Sequence, residues 1–272
     1  MTDDFPSVVG VEHRFVEAGG LRMHVAEAGA GEPLLLVHGW PQHWYQWRGV
    51  IQRLADTRRV IVPDLRGFGW TDAPPGPVEP DVFVTDLIAL LDTLGIEQTD
   101  LVGHDWGGFT SLLLAARHPE RFRKVVALST PHPWFKLTPR LALEIWRAFY
   151  AVPLAAGVME RTPRLANWFI GREGVPAEDV AIYIDRLREP ARAAATTRLY
   201  RSYLRTLLTA VKGGAEEPRT TVPLLLMIGE NDQAVTPRLA EGFENFELLP
   251  GAGHFVCDTH AHLVADRVRS FL

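Results

Sequence analysis

A chain of 272 residues with 47% hydrophobic and 22% charged side chains carries enough apolar material for one large folded unit and has no disordered or low-complexity character. Its 28 basic and 33 acidic residues leave a formal charge of −5 without a basic block, which argues against nucleic acid and anionic membrane as partners. No apolar run approaches the roughly 18 residues of a spanning helix. The acidic start is not a signal peptide and the single Cys257 rules out an internal disulfide, so a cytoplasmic location is expected.

Residues 1–10 read as a lead-in. Glu12 to Glu17 and Leu21 to Glu27, separated by Gly19-Gly20, read as a β-hairpin. Gly29-Ala30-Gly31 is not a dinucleotide fingerprint, because it precedes a strand, lacks the third glycine and opens no helix. Pro33 to Val37 is a continuous apolar run, as in a parallel strand buried on both faces, and it ends in His38-Gly39-Trp40-Pro41. Such a loop at a strand end is where an α/β sheet offers backbone N–H groups to a ligand. A helix is expected from His43 to Leu54, with Trp44, Trp47, Val50, Ile51 and Leu54 on its core face. Arg59 to Pro63 is the next buried strand, Asp64 to Gly69 a polar, glycine-rich loop, and Asp81 to Leu94 an amphipathic helix stopped at Gly95. A strand ending at Leu101-Val102, a sharp turn, a helix from Phe109 to Arg117 and a strand from Lys124 to Ser129 follow.

The alternation of strands and helices then breaks. Residues 131–219 are helix-rich, punctuated by proline and crowded with aromatic side chains, with no buried-strand run. Val222 to Ile228 resumes the α/β pattern and runs into Gly229-Glu230-Asn231-Asp232. Glu247 to Leu249 runs into Pro250 and onward to His254, and a helix from Ala261 to Phe271 closes the chain. The expected organisation is a core domain of residues 1–130 and 220–272 with a helical cap, 131–219, packed over the strand ends.

The strand that ends at Val102 carries the most informative spacing, Gly103-x-Asp105-x-Gly107. A strand that turns directly into a helix crowds the residue at its apex, and glycines on either side remove the clashing Cβ atoms. Asp105 at that apex is a candidate nucleophile; taken alone, an N-capping aspartate fits equally well. The strand ends deliver Asp105, Asp232 and His254 in the order nucleophile, acid, histidine, which is the order used by α/β hydrolases. Asp232 also suits the cap of a helix beginning near Pro237, Asp64 is a competing acid at another strand end, and His254 is one of ten histidines. Their joint placement at one sheet edge selects the triad. The spacing of His254, Cys257, His260 and His262 matches no standard metal site.

With these motifs assembled, the sequence resembles the α/β-hydrolase fold epoxide hydrolases of the soluble or microbial type with an aspartate nucleophile. The resemblance rests on His38-Gly-Trp-Pro41, Trp44-Tyr-Gln-Trp47, Asp64-Leu-Arg-Gly-Phe-Gly69, Gly103-His-Asp-Trp-Gly-Gly108, Gly229-Glu-Asn-Asp232 and Gly251-Ala-Gly-His254. It implies an α/β fold with a mostly parallel eight-stranded sheet flanked by helices and a helical cap after the sixth strand. It also implies Asp105 as nucleophile, Asp232 as acid, His254 as base, backbone N–H groups of Trp40 and Trp106 as oxyanion hole, and a cis Trp40-Pro41 bond. His38 and Trp146 are expected at the substrate pocket. The family opens the ring with two cap tyrosines. Tyr200 matches the second; the first falls on Trp146, so Tyr150 one turn later, the Trp146 indole or Tyr200 alone fills that role. Tyr183 and Tyr203 are expected in the cap core or at its surface. The implied activity is hydrolysis of an apolar epoxide to a vicinal diol with water and no cofactor, by a monomer or homodimer. A haloalkane dehalogenase using the same aspartate, with Trp106 and Trp146 holding halide, and a non-catalytic ligand receptor are the alternatives. A serine esterase is disfavoured because no Gly-x-Ser-x-Gly occurs.

Overall fold

The fold follows from which faces of its strands are apolar. In the computed structural model, which describes residues 4–133, 149–211, 220–240 and 243–272, eight strands form one sheet in the order β1-β2-β4-β3-β5-β6-β7-β8. Strands β1 (Glu12–Ala18) and β2 (Leu21–Ala28) make the hairpin, turned by Gly19 and Gly20, both at positive φ. Strand β2 pairs antiparallel with β4 (Arg58–Pro63). The pairs linking β4, β3 (Glu32–Val37), β5 (Thr99–His104), β6 (Phe122–Leu128), β7 (Leu224–Gly229) and β8 (Phe246–Leu249) are all parallel.

Successive side chains of a strand point to opposite faces, and the two cores divide accordingly. Leu34, Leu36, Val60, Val62, Val126 and Leu128 pack in one core with helices α1 (Arg48–Leu54) and α9 (Ala261–Phe271). Leu35, Val37, Ile61, Leu101 and Val125 pack in the other, with α2 (Pro80–Thr93) and α3 (Trp106–Arg117). The single helix expected from His43 to Leu54 is divided. Trp44–Trp47 is a 3-10 turn whose first N–H groups are held by side chains, Trp44 N by Asp64 Oδ1 at 2.8 Å and Tyr45 N by His43 at 3.4 Å, and α1 begins only at Arg48. These side-chain acceptors, together with the fully buried indoles of Trp44 and Trp47, favour the tighter turn.

Between β6 and β7 the chain forms a helical insert: α4 (Ala151–Ala155), α5 (Arg164–Gly171), α6 (Ala177–Leu187) and α7 (Pro190–Val211). It is fastened to the loops at the C-terminal edge of the sheet. Thr196 accepts the Trp40 indole N–H at 3.1 Å, and Arg192 donates to the carbonyls of Thr71 and Phe68 at 2.7 and 3.2 Å. Tyr183, fully buried, donates to Asp258 at 2.7 Å. Asp258 lies in the short α8 (Val256–Thr259) and is also paired with Arg48. Among the described residues no helix is long and apolar enough to cross a membrane.

Candidate active site

Asp105 stands between β5 and α3 at φ 52°, ψ −117°, and its own N–H donates to Leu128 O at 2.9 Å. The glycines permit this turn by close approach. A Cβ on Gly103 would meet Gly107 O at 2.2 Å, and one on Gly107 would meet Val37 O at 2.2 Å. The carboxylate makes no cap hydrogen bond to α3. It turns instead toward the loop after β3. Oδ2 accepts the Trp40 N–H at 2.8 Å, and the Trp106 N–H is a second donor to the same side chain. The Trp40-Pro41 bond is cis, as expected.

His254 follows β8 and places Nε2 3.9 Å from Asp105 Oδ1 and Nδ1 3.0 Å from Asp232 Oδ2. Asp232, after β7, accepts N–H groups of its own loop as well, from Ala234 at 2.9 Å and Val235 at 2.8 Å. It does not cap the turn that begins at Pro237, where Thr236 accepts the Arg238 N–H at 3.4 Å; it braces its own loop and pairs with His254. The competing acid is committed elsewhere: Asp64 accepts from His24 Nδ1 at 2.7 Å, Trp44 N at 2.8 Å and Trp70 N at 2.9 Å.

The electrostatics of the three groups are coupled. Burial pushes the Asp105 carboxyl up to about 6, against the opposing pull of His254 and the two backbone donors. Burial also works against charge on His254, but the charge and hydrogen bond of Asp232, with Asp105 and Glu173, outweigh it and raise the ring to about 9. Burial would raise Asp232, yet His254 beside it holds the carboxyl below its ordinary value.

Three tyrosines of the insert face this centre. Tyr200 is fully buried, its ring crossing Trp106 at 5.8 Å and 85°. The Tyr150 ring lies 5.8 Å from that of Tyr200, crossing it at 77°. Burial, reinforced by the charge of Asp105, raises both phenols well above their ordinary range. A pocket opens on Asp105 and is lined by Tyr150 and Tyr203 together with Trp106, Phe109 and Val235. The structure thus moves Tyr203, expected in the cap core or at its surface, onto the pocket wall. His38, expected at the pocket, is corrected in the other direction. Its Nε2 accepts Leu65 N–H at 2.9 Å, which leaves Nδ1–H to donate to Gly39 O at 3.1 Å, and the buried ring braces the loop after β3 from behind. Trp146 lies outside the described residues.

Glu173, which sequence reasoning missed, reaches from the insert to the histidine loop. Its Oε2 accepts the backbone N–H groups of His254 at 2.5 Å and Phe255 at 3.4 Å, and burial raises its carboxyl. Oε1 is buried with no hydrogen-bond partner among the described residues. From the other side, His104 Nε2 meets His254 O at 2.8 Å, so the loop is held from both faces.

A carboxylate held by two N–H donors, beside a histidine paired to a second carboxylate and across from buried phenols, is equipped to attack an electrophilic carbon and then hydrolyse the resulting ester. Comparison with known proteins agrees in kind. A family model described as alpha/beta hydrolase fold matches residues 32–261. The chain is 32% identical over 253 residues to the AB hydrolase superfamily protein YfhM of Bacillus subtilis, covering 86% of each. It is 30% identical over 285 residues to epoxide hydrolase 4 of Homo sapiens, covering 94% of this chain and 77% of that protein. The solved structure of the epoxide hydrolase CorEH superimposes with a TM-score of 0.80 at 28% identity, over 96% of this chain and 98% of that one.

Proposed function

Since the chain belongs to the alpha/beta hydrolase fold family, we propose that it is an epoxide hydrolase, opening an apolar epoxide to a vicinal diol through an ester on Asp105, with the helical insert as its cap. The observation that carries this reading is the pairing of a carboxylate at the elbow with the half-buried phenols of Tyr150 and Tyr203 on the wall of the same pocket. An epoxide leaves as an alkoxide, which needs a proton from an acid above the site, and a phenol held neutral by burial supplies one.

In the first step an Asp105 oxygen attacks a ring carbon in line, the C–O bond breaks and the oxirane oxygen takes a proton from tyrosine. Tyr150 is the donor that meets the substrate. It lines the pocket that opens on Asp105, with the Tyr200 ring 5.8 Å away. Esterification removes the Asp105 charge, one of the groups holding His254 protonated, and the ring gives its proton to the tyrosinate. Neutral His254 then draws a proton from water as the water oxygen attacks the Asp105 carbonyl carbon. The N–H groups of Trp40 and Trp106 hold the oxyanion. Collapse of the intermediate breaks the ester C–O bond, the diol leaves protonated, Asp105 is again a carboxylate and His254 a cation. No cofactor enters.

The dehalogenase reading asks Trp106 to give its indole N–H to halide, and the Tyr200 ring packs edge-on against that indole at 5.8 Å. Product analysis with styrene oxide and 1-bromobutane in parallel, on the protein and its Asp105→Ala variant, tests the choice. Diol without halide release, abolished in the variant, is the expected result. Halide release alone reassigns the protein to dehalogenases, and inactivity on both favours the receptor reading.

A further inference from the structure

Tyr203 remains unused by that reaction. It sits three residues after Tyr200 on the same face of α7, its ring crossing Trp106 at 5.6 Å and 89°. It lines the pocket that opens on Asp105. The hydroxyl has no hydrogen-bond partner among the described residues. Burial, then the charge of Asp105, raises the phenol to about 12, so it stays a donor. The same field places it near the chemistry: Tyr203 is the second cause, after burial, that raises Tyr150. Around it the wall is apolar, built from Phe109, Pro131, Leu207, Val235 and Leu239. Of the other wall hydroxyls, Thr130 donates to Pro131 O at 3.3 Å and Thr206 is exposed.

The half-buried hydroxyl is within reach of water while the pocket is empty; a ligand that displaces this water without offering an acceptor leaves the donor unpaired, so the site discriminates against ligands that lack one. Resting on the epoxide reading, we propose that Tyr203 is a specificity-determining residue whose hydroxyl binds a hydrogen-bond acceptor carried beside the oxirane. The preferred substrates are then oxygen-substituted epoxides of the glycidyl ether class, with an apolar tail against the pocket wall.

The test compares butyl glycidyl ether with 1,2-epoxyoctane, which match in chain length and differ by one oxygen. The ratio of their kcat/KM values is measured in the wild type and in Tyr203→Phe. Ring reactivity is the same in both proteins, so the change in ratio isolates the hydroxyl. The substitution is expected to lower the ether preference about fivefold to tenfold, through KM for the ether. An unchanged ratio overturns the proposal, and so does an equal loss on both substrates, which makes Tyr203 a ring-opening acid or a structural residue. Calorimetric binding of the corresponding diols, 3-butoxypropane-1,2-diol and 1,2-octanediol, reads the same preference without turnover. If neither epoxide reacts, the epoxide reading fails, while the diol pair still decides the role of Tyr203.

Discussion

Replacing Gly39 by alanine displaces the nucleophile without adding or removing a titrating group. A Cβ at this position would lie 2.5 Å from both Cβ and Oδ2 of Asp105 and 2.8 Å from His104 O. That is about 0.9 Å short of ordinary contact, and the adjoining Trp40 N–H, 2.8 Å from Oδ2, moves with the same loop. A misplacement near 1 Å at the reacting atoms costs on the order of 100-fold, so kcat/KM for styrene oxide should fall by about two orders of magnitude. Overpacking of this kind destabilises by about 1–3 kcal/mol, which a melting curve registers as a drop of a few degrees per kcal/mol in a chain this size. The folded variant therefore remains available for assay at 25 °C. Gly171→Ala is the control: it lies in α5, with nothing within 4 Å of the added Cβ, and should keep full activity with equal or slightly higher stability. Gly39→Ala activity within threefold of wild type would refute the claim that this loop and Asp105 are in fixed, close contact.

The acid limb of kcat/KM should lie near pH 6, because burial raises the Asp105 carboxyl; activity then falls about tenfold per pH unit below that point as the nucleophile protonates, whereas a limb near 4 means that burial does not govern the site. Glu173→Ala removes the acceptor for the His254 and Phe255 N–H groups and should slow ester hydrolysis by about 10–100-fold in single turnovers, with ester formation far less affected and Glu173→Gln largely restoring the rate. Tyr150→Phe and Tyr200→Phe should each slow ester formation by about 10–100-fold, Tyr150→Phe more, as read from the pre-steady-state change in indole fluorescence.

What was legible in the sequence was what is local or ordered along the chain. The elbow is written in five residues, because the crowding at Asp105 is relieved by glycines two positions away. The parallel strands are written in apolar runs, because both of their faces are buried. What was illegible depends on which surfaces meet. Glu173 and the His254 N–H are 81 residues apart, and no pattern in the insert marks a glutamate that will accept from a distant backbone. Tyr203 was expected in the cap core or at its surface, because helical spacing does not say whether a face meets a core or a pocket. His38 was expected at the pocket; the Leu65 N–H that claims its ring comes from a neighbouring loop, which no local pattern marks. Asp232 also suited a helix cap near Pro237, but the N–H groups it accepts belong to its own loop, and its pairing needs His254 beside it.

The central claim is that Asp105 forms the covalent bond, and the most direct measurement is the intact mass of His254→Gln protein mixed with styrene oxide. Without the histidine, water activation is lost while Asp105 keeps its two N–H donors, so the ester should accumulate. The account predicts one adduct per chain, equal in mass to the whole epoxide, located on Asp105 by peptide mapping and absent from the Asp105→Ala, His254→Gln double variant. An adduct on another residue, or an unmodified His254→Gln protein alongside an active wild type, would contradict it.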